Sequence, residues 1–469
     1  MQCRRICAVS RIATHLLTVG LLLFTASAIA AERIDLRVLY LGKPDSERLA
    51  DFRRLLADHF AKVTTADLRT FKEADANGQD IVIVDWTNEY KVGGGVIDGK
   101  GFRAPQISKD FTRPMILIGQ AGGKVTLQLD IKIDWLCLCL SGPAYKVATK
   151  HELFHSPLKV EPVFEEIPTP ELDRYLTVEQ LGTAMQVWHV QTKNYPDGAD
   201  PGLVSTLYGF ADSPDAEVIA QGIARKGPET VALARQANYF LWGFSAPPAD
   251  MTPAAQRLFV NVVAYMHKFD GDTPLVRRVS MPREWALRLA TVPRLFNDDY
   301  RQRKSRVLRA SYQKHPKWVE EKYKGDVERQ IIDRIAAEEK ANRDWMLTNV
   351  PKALQEQFGM DADKYVTYYR EHFEYLRPVE GDTWAAFLVD DDAKSLGLSN
   401  RKVELLDRCV SMLEKYDRPE LALRLLKRYT HEVFAFAEQW RGWLDNNRSR
   451  LFFSDMGGYK FFIGPDTAQ

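Results

Sequence analysis

The sequence predicts an α/β protein: a doubly wound parallel sheet with extra strands, followed by an all-α C-terminal domain. Three observations predict it. Short continuous apolar runs, Asp80-Ile-Val-Ile-Val-Asp85 above all, read as strands buried on both faces. These runs alternate with amphipathic stretches, the order of a parallel sheet with crossover helices. From Met281 onward the strand runs give way to apolar residues at three- and four-residue spacing.

The chain of 469 residues begins with a targeting pattern. Arg4, Arg5 and Arg11 precede an apolar stretch, Leu16 to Ala30, that ends in the small-x-small site Ala28-Ile-Ala30. Residues 1–31 are therefore expected to be a cleaved signal peptide, because the apolar core is short for the ~20 residues of a spanning helix. The mature chain is expected to be exported, periplasmic or secreted, with no membrane attachment. Cleavage removes three Arg and no acid, so the formal charge moves from +1 to −2. A balanced charge gives no electrostatic case for nucleic acid. Cys3 and Cys7 leave with the signal, and Cys137, Cys139 and Cys409 do not suggest a disulfide framework.

Ile34 to Leu41 reads as the first strand, and Ser46 to Phe60 as a helix with Leu49, Phe52, Leu55, Leu56 and Phe60 on one side, capped by Asp45 or Ser46. Lys62 to Thr65 is a short strand and Asp80 to Asp85 a buried one. The Gly-rich stretch from Asn88 to Thr112 is long enough to be a lid or a disordered segment. The central unit runs from Pro114 to Val147. Met115 to Ile118 is a strand, Gly119 to Gly123 a turn, Val125 to Leu129 a helix start, and Ile131 to Leu140 a second buried strand, together a unit of the parallel-sheet type. Met185 to Gln191, Leu203 to Phe210, Val231 to Arg235 and Asn238 to Phe244 read as further strands, and Met251 to His267 as a helix. The domain is expected to span residues 32–272 and to close at Gly271-Asp-Thr-Pro274, with a helical domain over 280–469. Within that domain helices are expected over Asp326 to Phe358 with a break at Pro351, Asp361 to Tyr375, Asn400 to Lys415 and Pro419 to Leu444, before a non-helical tail.

The strand, Gly-rich turn and helix at Ile116 to Gly123, with two later passages, resemble the flavodoxin-like fold of the class I glutamine amidotransferase-like proteins, nearest their ThuA-like (trehalose-utilisation) branch. His151-Glu-Leu-Phe-His-Ser-Pro resembles that branch's His-Pro-Ile-x-x-Gly passage. Asn238-Tyr-Phe-Leu-Trp-Gly-Phe-Ser and Met251-Thr-Pro-Ala-Ala-Gln-Arg-Leu-Phe-Val-Asn resemble its closing strand and helix. The resemblance covers about residues 33–270. Two departures bear on chemistry. Glutamine hydrolysis needs a thiolate in the turn after the fourth strand, and Gly119-Gln120-Ala121-Gly122 holds no Cys, Ser or Thr, which excludes a glutaminase of that kind. The branch's closing Gly-His is matched here by Phe244-Ser245.

In an open parallel sheet ligands lie outside the carboxyl ends of the strands. The residues expected there are Lys43, Asp45, Asp85, Trp86, Thr87, Gly119, Gln120 and Gly122. A lysine, carboxylates, an amide and an indole could orient a polyol or sugar acid, with Trp86 stacking on a sugar face and the helix behind Gly122 facing an anion. Asp85, with His151 by resemblance, is the candidate general base. The plainer alternative makes Asp45 a helix cap, Asp85 a strand-end residue and Gly122-Gly123 a close-packed turn. Cys137-x-Cys139 with His151-x-x-x-His155 could form a tetrahedral zinc set, but both thiols on one face of an apolar strand read better as packing. No metal or other cofactor is therefore expected, and His189 reads as a satisfied strand residue.

Elsewhere, Trp440 and Trp443, with Phe434 and Phe436 before them, read as core. Arg301 to Arg306 reads as a solvated or inter-domain face, and Asp390-Asp-Asp392 as a helix start. The functional expectation is an exported protein that binds or modifies a carbohydrate-related small molecule. The alternative is a non-catalytic scaffold whose helical domain binds a protein partner.

Overall fold

The computed structural model describes residues 32–85, 105–119, 125–126, 128–133, 137–170, 182–194, 201–224, 230–313, 320, 326–379 and 386–466. Its centre is a sheet of 11 strands. Five of them run parallel in the order β2 (Phe60–Asp67), β1 (Ile34–Gly42), β3 (Ile81–Asp85), β4 (Met115–Ile118) and β11 (Tyr239–Trp242). Relabelled by position this is the 2-1-3-4-5 order of flavodoxin-like sheets, as the sequence predicts. Every residue of β3, β4 and β11 is buried, which is why these strands read as unbroken apolar runs.

Beyond β11 the sheet continues antiparallel through β10 (Thr230–Gln236), β8 (Gly202–Thr206), β5 (Cys137–Tyr145), β7 (Ala184–Trp188) and β6 (Phe164–Pro168), and β9 (Ala216–Ala224) pairs with both β10 and β5. This corrects the central unit. The strand expected over Ile131 to Leu140 lies at Cys137–Tyr145, and it pairs antiparallel with β7, β8 and β9, not parallel beside β4. Ile131 and Ile133 are buried, but they lie across the face of the sheet.

One face is covered by α1 (Glu47–His59) and α2 (Pro253–Met266). Phe52 and Leu56 of α1, and Leu258, Val262, Val263 and Met266 of α2, pack on Tyr40, Ile83, Ile116, Phe240 and Trp242. The other face carries Leu39, Val82, Val84, Leu117 and Leu241, beneath Leu68, Phe71, Ile107, Phe111, Leu129 and Ile133. These covering residues lie in short 3₁₀ turns and irregular segments, so among the described residues the second layer holds no long helix. Those segments are held from outside by the chain that leaves α2. Arg278 N donates to Asp130 O at 2.6 Å and Arg277 Nη1 to Leu129 O at 2.8 Å, while Gln236 Nε2 of β10 donates to Val276 O at 2.9 Å and Leu275 N to Asp215 Oδ2, just before β9, at 2.8 Å.

The C-terminal region is helical with two short hairpins, the first pairing β12 (Leu376–Pro378) with β13 (Phe387–Val389). α3 (Glu284–Ala290), α5 (Val327–Asn349), α6 (Lys352–Phe358) and α7 (Ala362–Glu371) share one core, built on Trp285, Leu289, Met346, Leu354, Tyr365 and Tyr369. α4 (Asp298–Gln313) lies on α5, with Arg301 on Glu339 and Lys304 on Glu338, which accounts for the basic run. α8 (Asp391–Ser395), capped by Asp390, packs with α9 (Val403–Glu414), α10 (Pro419–Tyr429) and α11 (Ala437–Asn447). The single helix expected over Pro419 to Leu444 is two helices. Phe434 turns back onto Trp440, ring centroids 4.9 Å apart, from a connection that leaves Phe436 66% exposed.

The tail is the hairpin β14 (Leu451–Ser454) and β15 (Lys460–Ile463). Its tip reaches the sheet domain: Ser454 Oγ donates to Asp212 Oδ1 at 2.8 Å, and Met456 N to Asp212 Oδ2 at 3.2 Å. Arg283, wholly buried, grips Asp455 with Nε and Nη2, each at 2.8 Å. Among the described residues no helix is long and apolar enough to cross a membrane.

Candidate carboxyl-edge site

The carboxyl edge begins where β1 hands over to α1. Ser46, not Asp45, caps the helix: its Oγ accepts from Leu49 N at 3.2 Å and donates to Lys43 O at 2.8 Å. Asp45 is exposed and stands in the left-handed region with φ 55°, an uncommon conformation for a residue with a side chain. Gly119 at the end of β4 also has a left-handed backbone, φ 52°, where glycine is the undemanding choice. Lys43 is half-buried beside this turn. Trp86, Thr87, Gln120 and Gly122 lie outside the described residues.

Asp85 ends β3 and is 1% exposed. Its two oxygens accept from Arg48 Nε at 2.6 Å and Nη2 at 3.0 Å, and the Tyr40 hydroxyl also donates to it. This forked pair is the geometry in which guanidinium and carboxylate interact most strongly. Arg48 also donates from Nη1 to Ser245 O at 2.5 Å, and its guanidinium lies 5.2 Å from the Phe52 ring. Burial, then the Asp85 charge, pushes the Tyr40 phenol well above its ordinary range, so it stays a donor. Arg48 is the residue that sequence reasoning missed. The available signal was its place one helical turn before Phe52, which sets a cation beside the helix's buried side.

A general base must offer a lone pair to the proton it removes. Asp85, as placed, spends its carboxylate on holding α1 and the chain after β11 against the end of β3.

His151 lies at the opposite edge. Its Nδ1 accepts from Leu153 N at 3.3 Å, capping a 3₁₀ turn, so the proton sits on Nε2, 3.2 Å from Glu217 Oε2. Glu217 also accepts from Arg235 Nε at 2.5 Å and from the Tyr265 hydroxyl at 2.6 Å. Burial works to raise the Glu217 carboxyl, but the His151 hydrogen bond, the Arg235 charge and the Tyr265 hydroxyl outweigh it and hold it at about 2. In the ladder Arg235 faces Phe240, Phe240 faces Ile116 and Ile116 faces Ile83, with Asp85 further along β3. Three strand spacings at about 4.8 Å put the two clusters roughly 14 Å or more apart. The fold does not bring Asp85 and His151 together as one acid–base pair.

Cys137 and Cys139 stand on β5, their side chains outside the described set, and His155 is exposed. Among the described residues no group of three or more His, Cys, Asp or Glu could hold a metal. His189, just past β7, has its Nε2 3.3 Å from Glu165.

No family model matches the chain, and no curated protein matches it. Among solved structures, a Thermoplasma acidophilum protein assigned as a GMP synthase component superposes with a TM-score of 0.27 at 10% identity, covering 50% of this chain and 97% of that one.

Proposed function

We propose that the protein is exported and that residues 33–270 form a degenerate, ThuA-like member of the class I glutamine amidotransferase-like fold. In this reading it binds a carbohydrate-related small molecule at the carboxyl edge of the sheet and does not hydrolyse glutamine. The observation that carries the reading is the Arg48 clamp. One guanidinium ties the first turn of α1, the end of β3 and the Ser245 backbone together, so three parts of the edge are fixed relative to one another. A preorganised edge loses less freedom on binding than a loose one. With both Asp85 oxygens engaged by Arg48, the clamp favours binding over turnover, with Lys43 and Trp86 as the contacts.

The test is a thermal-shift screen of residues 32–469 against neutral sugars, sugar acids and inorganic phosphate, repeated on Lys43→Ala and Trp86→Ala. A ligand at about 100 times its dissociation constant stabilises by about 2.7 kcal/mol, a readable shift. A sugar response lost in either variant supports the reading. Silence across the panel with a normal melting transition rejects it.

A second reading, a scaffold acting through the helical region, draws on the exposure of Tyr416 at 85%, Val433 at 76% and Phe436 at 66%. A contiguous apolar patch left in water marks an interaction surface, and this reading requires these side chains to form one. Co-purification of a stoichiometric protein, abolished by Tyr416→Ser with Phe436→Ser, would favour this reading over the first.

A further inference from the structure

Lys132 is wholly buried in the segment that crosses the sheet between β4 and β5. Its ammonium has three donors, and three acceptors surround it: Phe210 O at 3.1 Å, Ser213 Oγ at 2.6 Å and the Asp212 carboxylate in direct contact. The groups behind these acceptors make the arrangement more than an ion pair. Ser213 Oγ donates onward to Asp215 Oδ1 at 2.5 Å, and Leu275 N–H fixes the other Asp215 oxygen at 2.8 Å. On the far side of the Asp212 carboxyl, Ser454 Oγ–H points at Oδ1 and Met456 N–H at Oδ2. Ser213, Ser454 and Met456 are buried and the Asp212 side chain is 18% exposed, so the ammonium and most of the carboxyl are shielded from bulk water.

We propose that Lys132 and Asp212 join as an intramolecular isopeptide, an amide between Nζ of Lys132 and Cγ of Asp212, formed by the fold itself. Two buried opposite charges in contact cost much desolvation. One proton passing from nitrogen to oxygen leaves an uncharged amine beside an uncharged acid. Burial raises the Asp212 carboxyl above its ordinary range, against the pull of Lys132.

The amine lone pair then attacks Cγ and forms the new C–N bond. The nitrogen releases a proton through Ser213 to Asp215, which acts as the base. Charge gathering on the Asp212 oxygens meets the Ser454 hydroxyl and the Met456 N–H, a preorganised pair of donors. The proton held by Asp215 returns through Ser213 to the hydroxyl of the intermediate, the C–O bond breaks, and water leaves. Amine plus acid gives amide plus water, with no oxidant or other reactant. The amide keeps one N–H, with the Phe210 carbonyl at hand to accept it. The bond closes a loop of 80 residues by sequence separation, a covalent staple in a chain whose described free cysteine, Cys409, is buried and unpaired.

The experiment is mass spectrometry of the purified full-length or signal-cleaved chain under denaturing, reducing conditions, followed by peptide mapping. The expected whole-chain mass is one water below that of its sequence, with a branched peptide carrying residues 132 and 212. Asp215→Asn, which keeps the acceptor for Leu275 N–H, is expected to leave a measurable unlinked fraction, and Lys132→Met to abolish the branch. A wild-type chain of full sequence mass, with linear peptides and a Lys132 amine open to acylation once denatured, overturns the proposal and leaves an ion pair only. If Lys132→Met does not fold, the wild-type mass still decides.

Discussion

Arg48 shows what a single residue does here. It neutralises Asp85 where the carboxylate is 1% exposed. Removing one partner of a buried pair strands the other, at a cost of about 3–5 kcal/mol. Arg48→Ala is therefore expected to lose about that much in urea denaturation, and the Asp85→Leu, Arg48→Met double variant to recover much of it. Loss under 1 kcal/mol in the single variant would show that water reaches Asp85. Glu217 makes a prediction in pH. Its folded value, about 2, lies below the ordinary carboxylate value of 4.5. A depressed carboxylate contributes stability that is fully present above its unfolded value and is lost as pH falls through the folded one. Stability should therefore decline between about pH 5 and pH 2, and Glu217→Gln should flatten that decline in denaturation series. An unchanged slope would mean that His151, Arg235 and Tyr265 do not bind the charged form more tightly. Of these residues the sequence announced the carboxylate and the histidine, but not their partners. Arg48 is 37 positions from Asp85, and Glu217 is 66 from His151. Such pairs exist only once the strands have aligned, so local pattern could not show that both side chains were already engaged.

Among elements, those whose pattern is set by local physics were legible. β3 is a run of β-branched residues buried on both faces, and α1 shows its cap and its apolar stripe together. Ser46→Ala should cost about 1 kcal/mol, seen as a small drop in melting temperature without change of fold. β5 was misplaced because its second half, Ser-Gly-Pro-Ala-Tyr, carries turn residues, whereas the apolar stretch before it covers the sheet from outside. β9 escaped notice because Gln221 and Gly222 interrupt its apolar pattern. The seam between the parallel and antiparallel halves depends on glycine. A Cβ on Gly243 would stand 2.2 Å from Leu203 O and 2.8 Å from Ala232 O, both backbone atoms that cannot swing aside. Gly243→Ala should force β8 away from the end of β11 and cost at least the 1–3 kcal/mol typical of overpacking. Wild-type stability in that variant, by denaturant titration, would show that the seam is loose.

For the whole molecule, the change to helical spacing after Met281 was plain in the sequence, but the dependence of the sheet on the chain beyond residue 272 was not. The second face of the sheet lies under irregular segments, and those are tied down by Arg277 and Arg278, while Leu275, Val276 and the terminal hairpin hold the chain around β9 and β10. A chain ending at residue 272 is therefore expected to be poorly soluble or to bind a hydrophobic dye, whereas the chain of residues 32–469 is not. A cooperative melt and dispersed amide spectrum from residues 32–272 would show that the sheet stands alone.

The hairpin tip also sets a schedule for the protein's own birth. Asp212 meets Ser454 across 242 positions of sequence. At about 5–20 residues per second, a ribosome needs roughly 12–50 s to supply the second after the first. Throughout that interval the loop around Asp212 lacks the hydroxyl and amide that will later enclose it. The newborn chain is thus open to proteases and chaperones around Asp212 until residues 454 to 456 emerge, and a chain cut short before Ser454 would stay so.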